Sequence, residues 1–153
     1  MDDQIIGNST QFEVLALTII GEARGERIDG QVAVGCVIRN RLQKKAHKYH
    51  SYKDVCLEPL QFSCWNSDDV NRPFLLELVE SIVKGERIQD PHIRQCMVVA
   101  RGIEDWSIID ITSGSTHYLE NNLFNHHRPQ WAMKTGSFIR IGRHTFFNVL
   151  DED

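Results

Sequence analysis

Apolar residues recur at helical spacing along most of the chain before residue 102, and the rhythm changes after it. Phe12, Leu15, Ala16, Ile19 and Ala23 follow the i, i+3, i+4 spacing of one buried face and predict a helix over 12–23. Asn8, Ser9 or Thr10 can cap its start. Asp29 reads as the cap of a second helix, "GQVAVGCVIRNRL", with Ala33, Cys36, Val37 and Asn40 as its buried stripe. The basic stretch "KKAHKYH" follows as a solvated segment. Ser51 and Asp54 form a capping-box pattern for a short helix through Leu57, which Pro59 stops, and "PLQFSCWNSDD" reads as a loop.

Asn71 and Pro73 open a further helix that Gly85 closes, with Phe74, Leu75, Leu78 and Ile82 facing inward. Asp90-Pro91 opens the next one, which reaches Arg101 and ends at Gly102. Beyond it, "ITSGSTHYLENN" is β-branched and turn-rich, and "PQWAMKTG" has room for one or two helical turns. "SFIRIGRHTFFNVL" predicts a hairpin with Gly142-Arg143 as a type II′ turn. The expected fold is mainly α (α+β), a compact helical domain with a small β-hairpin near the C-terminus. No repeat or linker divides residues 1–153, so one domain is expected.

Composition narrows the function classes. The 153 residues are 41% hydrophobic and 25% charged, enough for a core, and the net charge of −4 argues against a nucleic-acid partner. No apolar run approaches the roughly 18 residues needed to span a membrane. The acidic, polar N-terminus has no signal-peptide pattern, which predicts synthesis in a cytoplasm without an export route. Cys36, Cys56, Cys64 and Cys96 form no CxxC pair and read as buried free thiols.

The stretch "GEARGE" holds the most suggestive chemistry. Glu22 lies seven residues after Leu15 and three after Ile19, on the predicted buried face. Burial there is expected to raise its carboxyl and suit it to general acid catalysis. Gly25, in the left-handed C′ conformation, is expected to end the helix and leave Glu26 at the rim of a site. The alternative is that both glutamates pair at the surface with Arg24, Arg27 or Arg39.

Four blocks in order, "GEARGERIDGQVAVGCVIRNRL", "QFSCWN", "STHYLENN" and "RPQWAMKTGSFIRIGRHTFF", resemble those of the SleB-like cell wall hydrolase family. That family includes spore cortex-lytic enzymes and phage endolysins. The resemblance implies a compact lysozyme-like domain that cleaves peptidoglycan between N-acetylmuramic acid and N-acetylglucosamine, as a lytic transglycosylase leaving 1,6-anhydromuramic ends. It implies Glu22 as the catalytic acid. Gln61, Phe62, Ser63 and Trp65 would then line or support the glycan cleft, Gln61 meeting an N-acetyl group or Glu22 and Trp65 stacking on a sugar. Phe62 and Trp65 can equally be plain core. Thr116, His117 and Tyr118 match a block in which Ser115 replaces the usual Ala. Tyr118 can bond Glu22 or the sugar, and His117 can be structural. Trp131 and His144 can support the fold or line the cleft, while Gly142 and Phe146 read as turn geometry and packing.

No second carboxylate carries a comparable motif among Glu26, Asp29, Asp54, Glu58, Asp68 and Asp69, which favours a substrate-assisted route needing no metal or cofactor. A hydrolytic muramidase is the alternative. A zinc amidase built on His117, His126, His127 and His144, or a non-catalytic glycan-binding module, fits less of the pattern. A monomer without a separate cell-wall-binding domain is expected, made in a host cytoplasm and acting on peptidoglycan in the periplasm or wall. A phage enzyme of this kind would rely on a holin or similar partner.

Overall fold

A computed structural model describes residues 6–126, 129, 132 and 135–149. Of the segment expected to be helical, residues 129–136, only 129, 132, 135 and 136 are described, so Trp131 lies outside the described residues, and Thr135 and Gly136 begin a strand instead. Helix α1 (Gln11–Ala23) is the central element and contacts α2 (Ile28–Lys44), α3 (Tyr52–Cys56), α4 (Asn71–Val83) and α5 (Pro91–Glu104). Its start is fixed by a reciprocal capping box between Thr10 and Glu13.

The inward face of α1 is broader than its i, i+3, i+4 stripe. Val14, Leu17 and Ile20 are buried along with Leu15, Ala16, Ile19 and Ala23, so the helix is enclosed nearly all round. Phe12 is only half-buried and lies under the Arg101 guanidinium, 3.9 Å from its ring centre. Helix α2 is similarly enclosed, although Asn40 is only half-buried. It starts one residue before the expected cap: Arg27 is the extended N-cap, and the Asp29 carboxylate accepts from the backbone of Gly30 inside the first turn. In the basic segment after α2, Tyr49 is buried.

Gly85 ends α4 with φ of 75°. Val79 joins the expected stripe of that helix. Gly102, expected as a terminator, instead lies buried inside α5, which runs on to Glu104. A Cβ there would come within 2.5 Å of the Ile108 side chain, so this glycine admits the returning chain. Arg39 binds that return: its guanidinium donates to the carbonyls of Ile103 (3.1 Å) and Ile108 (2.8 Å). All four cysteines are free and buried. Burial pushes Cys36 up to about 11 and Cys56 and Cys96 up to about 12.

The C-terminal part is a three-stranded antiparallel sheet in the order β1 (His117–Glu120), β3 (His144–Val149), β2 (Thr135–Ile141), with a short helix α6 (Asn121–His126) after β1. The hairpin turns at Gly142, whose φ of 59° with no positive φ at Arg143 fits the type II′ expectation. The added strand β1 pairs Tyr118 with Phe146 and Glu120 with His144. On central β3, Phe146 enters the main core while Phe147 packs with Ala132 and Val149 on the other face.

Asp110 organises the loop that delivers β1. Its carboxylate accepts from Asn40 Nδ2 (3.1 Å), Thr112 N (2.8 Å), Thr112 Oγ1 (2.7 Å) and Gly114 N (2.8 Å). Burial pushes this carboxyl up, but the hydrogen bonds from Thr112, Asn40 and Gly114 outweigh it and hold it below its ordinary value of 3.8. A depressed folded-state value contributes stability that is present above the unfolded value and lost as pH falls through the folded one. Thermal melts should therefore show wild type losing stability below about pH 4 more steeply than Asp110→Asn. Parallel curves for the two proteins would remove this carboxylate as a source of acid sensitivity.

Candidate active site

Helix α1 delivers Glu22 in its last turn, where the helix leaves the core. Glu22 is half-buried, and its carboxylate accepts two hydrogen bonds, one at each oxygen. Tyr118 on β1 donates its hydroxyl to Oε1 at 2.6 Å, and the backbone N–H of Cys64 donates to Oε2 at 3.1 Å. Burial, followed by the neighbouring Glu22 carboxylate, pushes the Tyr118 hydroxyl well above its usual range, so it remains a donor. The same causes, in the same order, push the Cys64 thiol up.

Close approach of the Cys64 loop depends on Gly21. A Cβ at that position would lie 2.7 Å from both Cβ and Sγ of Cys64 and 3.0 Å from Leu75 Cδ1. The loop forms a 3-10 turn over Ser63–Trp65. Trp65 is buried, and its indole donates to Thr18 Oγ1 at 2.9 Å. It therefore braces the turn against α1 and is not placed to stack on a sugar. Phe62 is likewise core, lying 5.1 Å beneath the Arg41 guanidinium. Gln61 and Ser63, by contrast, are exposed and line the cavity at Glu22.

Two cavities meet at Glu22. One, of about 370 Å³, is lined by Glu22, Arg41, Leu60, Gln61, His117 and Tyr118, together with Ser63. The other, of about 450 Å³, includes Glu22, Glu120, Asn121, Asn122, Arg143 and His144. Glu22 is the residue they share, so its carboxylate borders both cavities.

Residues that sequence reasoning left out shape this groove. Buried Arg41 donates from Nε to the Thr116 carbonyl at 2.6 Å and from Nη1 to Gln61 Oε1 at 3.1 Å. It thereby fixes Gln61, for which no bond to Glu22 is found among the described residues. Leu60 is 83% exposed on the groove wall with φ of 67°, a conformation that costs a branched residue about 1–2 kcal/mol. Backbone strain of this kind gathers at functional sites. The exposed carboxylate of Glu120 lies in the second cavity.

The relative burial of the two glutamates is the reverse of the expectation from helix phase. Glu26 is the more buried of the two, lying beneath Arg143 while still lining the second cavity beside Glu22. Arg143 Nε donates to Glu26 Oε2 at 2.7 Å, Nη2 donates to the same oxygen, and the Arg143 backbone N–H reaches Oε1 at 3.5 Å. The hydrogen bond and charge of Glu26 raise the Arg143 guanidinium further above its ordinary range. Glu26 thus fastens the hairpin turn to the start of α2. Gly25 follows the end of α1 but is not left-handed; positive φ among the described glycines occurs at Gly85, Gly114 and Gly142.

His144 stands between the two glutamate systems. Its Nδ1 lies 3.7 Å from Glu26 Oε1, and its ring meets Tyr118 edge-on at 5.2 Å. His117 is buried and lines the first cavity, with Nδ1 2.8 Å from the Thr116 hydroxyl. Thr116 is also buried just before β1, and its Oγ1 accepts from Val149 N of β3 at 3.4 Å. No cluster of three His, Cys, Asp or Glu side chains suited to a metal occurs among the described residues.

Comparison with known proteins gives a consistent picture. A family model described as Cell Wall Hydrolase matches residues 25–147, beginning three residues after Glu22. The chain is 26% identical over 139 residues to the spore cortex-lytic enzyme of Bacillus subtilis (strain 168), an alignment covering 91% of this chain and 38% of that protein. Its fold is shared with the catalytic domain of the germination-specific lytic transglycosylase SleB from Bacillus anthracis. That match has a TM-score of 0.56 at 23% identity and covers 92% of this chain and 97% of that one.

Proposed function

The chain belongs to the cell wall hydrolase family, and on that premise we propose that it cleaves the glycan strands of peptidoglycan between N-acetylmuramic acid and N-acetylglucosamine, as a lytic transglycosylase. The observation that carries this reading is Glu22 at the junction of two cavities, gripped by Tyr118 and the Cys64 backbone. The names of the similar proteins from Bacillus support the same chemistry.

In the proposed route, protonated Glu22 donates to the bridging oxygen as the glycosidic bond breaks. The muramic N-acetyl oxygen supports the cation that develops at the anomeric carbon. Glu22, now a carboxylate, takes the proton of the muramic 6-hydroxyl, and that oxygen closes the 1,6-anhydro ring. Glu22 ends protonated, as it began. Tyr118 and Cys64 N–H hold the carboxyl through both transfers. The Glu26 carboxylate is already engaged by Arg143, which favours a route with one carboxylate.

Hydrolysis by water is a second reading, favoured by Glu120 in the cavity beyond Glu22. Mass spectrometry of digested peptidoglycan separates the two. Anhydro-muramic ends are expected; reducing muramic ends, heavier by one water, would overturn the transglycosylase route in favour of hydrolysis. The family resemblance also supports a phage lysis role, in which lysis follows co-expression with a holin and not expression alone.

A further inference from the structure

A third cavity, of about 110 Å³, adjoins the first. It shares Arg41, Gln61 and His117 with the first cavity and adds Lys44, Lys45, Lys48 and Glu58. Four cationic side chains thus face one carboxylate, in a chain whose net charge is −4. The Glu58 carboxylate is already engaged by Lys48 at 2.6 Å and by the Tyr49 hydroxyl. The C-terminus of α2 favours nearby cations through its dipole. That accounts for charge at Lys44 and Lys45. It does not account for a cavity that also gathers Lys48 and Arg41 and opens onto the groove.

We propose that this basic cavity is a subsite for the carboxylates of the peptide stem carried by muramic acid. The proposal rests on reading the groove as a glycan-strand site. A strand lying across Glu22 carries a stem on every muramic residue, and the free carboxylates of that stem are the anions nearest the cut. Arg41 links the two regions, since it fixes Gln61 in the first cavity and lines the basic one. The subsite gives the enzyme a preference among walls of different stem chemistry: free carboxylates are favoured, and stems whose carboxylates are amidated are discriminated against.

The test compares two preparations of the same glycan oligomers, one with free stem carboxylates and one with those carboxylates amidated, which removes the charge and nearly preserves the shape. Wild type should turn over the free form with a kcat/KM on the order of threefold to tenfold higher, as expected for two or three partly exposed charge pairs. Raising the ionic strength should shrink the ratio. The double variant Lys45→Gln/Lys48→Gln should bring it toward one, and Lys45→Arg/Lys48→Arg should retain it. Lys44 is left intact because it also holds the Gly114 carbonyl at 2.6 Å and Asn148 Oδ1 at 2.8 Å. Equal turnover of both preparations by wild type, or a ratio that survives in the glutamine variant, overturns the subsite while leaving strand cleavage standing. If neither preparation is cleaved, the cleavage reading falls by itself. Calorimetric binding of the two preparations then decides the subsite: tighter binding of the free form by wild type but not by the glutamine variant sustains it, and equal binding removes it.

Discussion

Glu22→Gln should lower glycan-strand turnover by roughly 10²–10⁴-fold, the range a positioned general acid contributes, while leaving the fold intact. The substitution keeps size and shape. Its amide oxygen can still accept from Tyr118 or from Cys64 N–H, so the loop and β1 should remain seated. What it loses is the proton that must reach the bridging oxygen. Release of soluble fragments from purified peptidoglycan measures the first effect, and a thermal melt within a few degrees of wild type establishes the second. The contrast with Glu26→Gln is informative. That change removes a buried charge from Arg143, so it should lower stability and loosen the hairpin turn. An active Glu22→Gln beside a well-folded but inactive Glu26→Gln would reverse the assignment of the acid.

Gly21→Ala should damage both stability and activity, although it adds one methyl group and a better helix former. Helix propensity alone favours the alanine by about 1 kcal/mol. Against that, the new Cβ would fall 2.7 Å from two atoms of Cys64, a fully buried residue, and 3.0 Å from Leu75. Overpacking of this kind typically costs about 1–3 kcal/mol, so a net loss of stability is expected. The functional effect should be larger. The turn can relieve the clash only by moving away from α1, and its Cys64 N–H then leaves Glu22. Displacement on this scale can reduce turnover by about 10²-fold. Gly7→Ala is the control, since nothing lies within 4 Å of a Cβ there. Cys64→Gly in the same chain removes both nearest clashing atoms and should recover part of the stability lost by Gly21→Ala. A Gly21→Ala protein as stable and active as wild type would mean that the turn position is unimportant.

Local signals in the sequence located most elements. Thr10 (one of three candidate caps), Ser51, Asp90-Pro91, Gly85 and Gly142 each act within a few residues, and each lies at or beside the boundary it predicted. The misreadings have a common origin in partners distant along the chain. Gly102 resembles a helix stop, but its role is to admit Ile108. Glu26 lines the second cavity as a rim residue would, but its burial is the work of Arg143, 117 positions away. Trp65 sits in a polar loop, and nothing in that loop announces Thr18 as its partner. Helix phase put Glu22 on a buried face, yet α1 is enclosed on nearly every side, so phase could not distinguish core from cleft. The family resemblance supplied the choice of Glu22. Arg41 and Leu60 carry no motif, because a guanidinium bridging two loops and a left-handed leucine arise only in three dimensions.

The hydrogen bond between Tyr118 and Glu22 spans 96 residues of sequence. Tyr118 sits on a strand whose sheet partner is β3, ending at Val149. During synthesis, a nascent chain can complete α1 and present Glu22 long before β3 exists to hold β1 in place. The carboxyl therefore gains its second grip only when translation has passed Val149 and the last strand has docked. On the proposed mechanism, the acid is held for catalysis only once this last strand has docked.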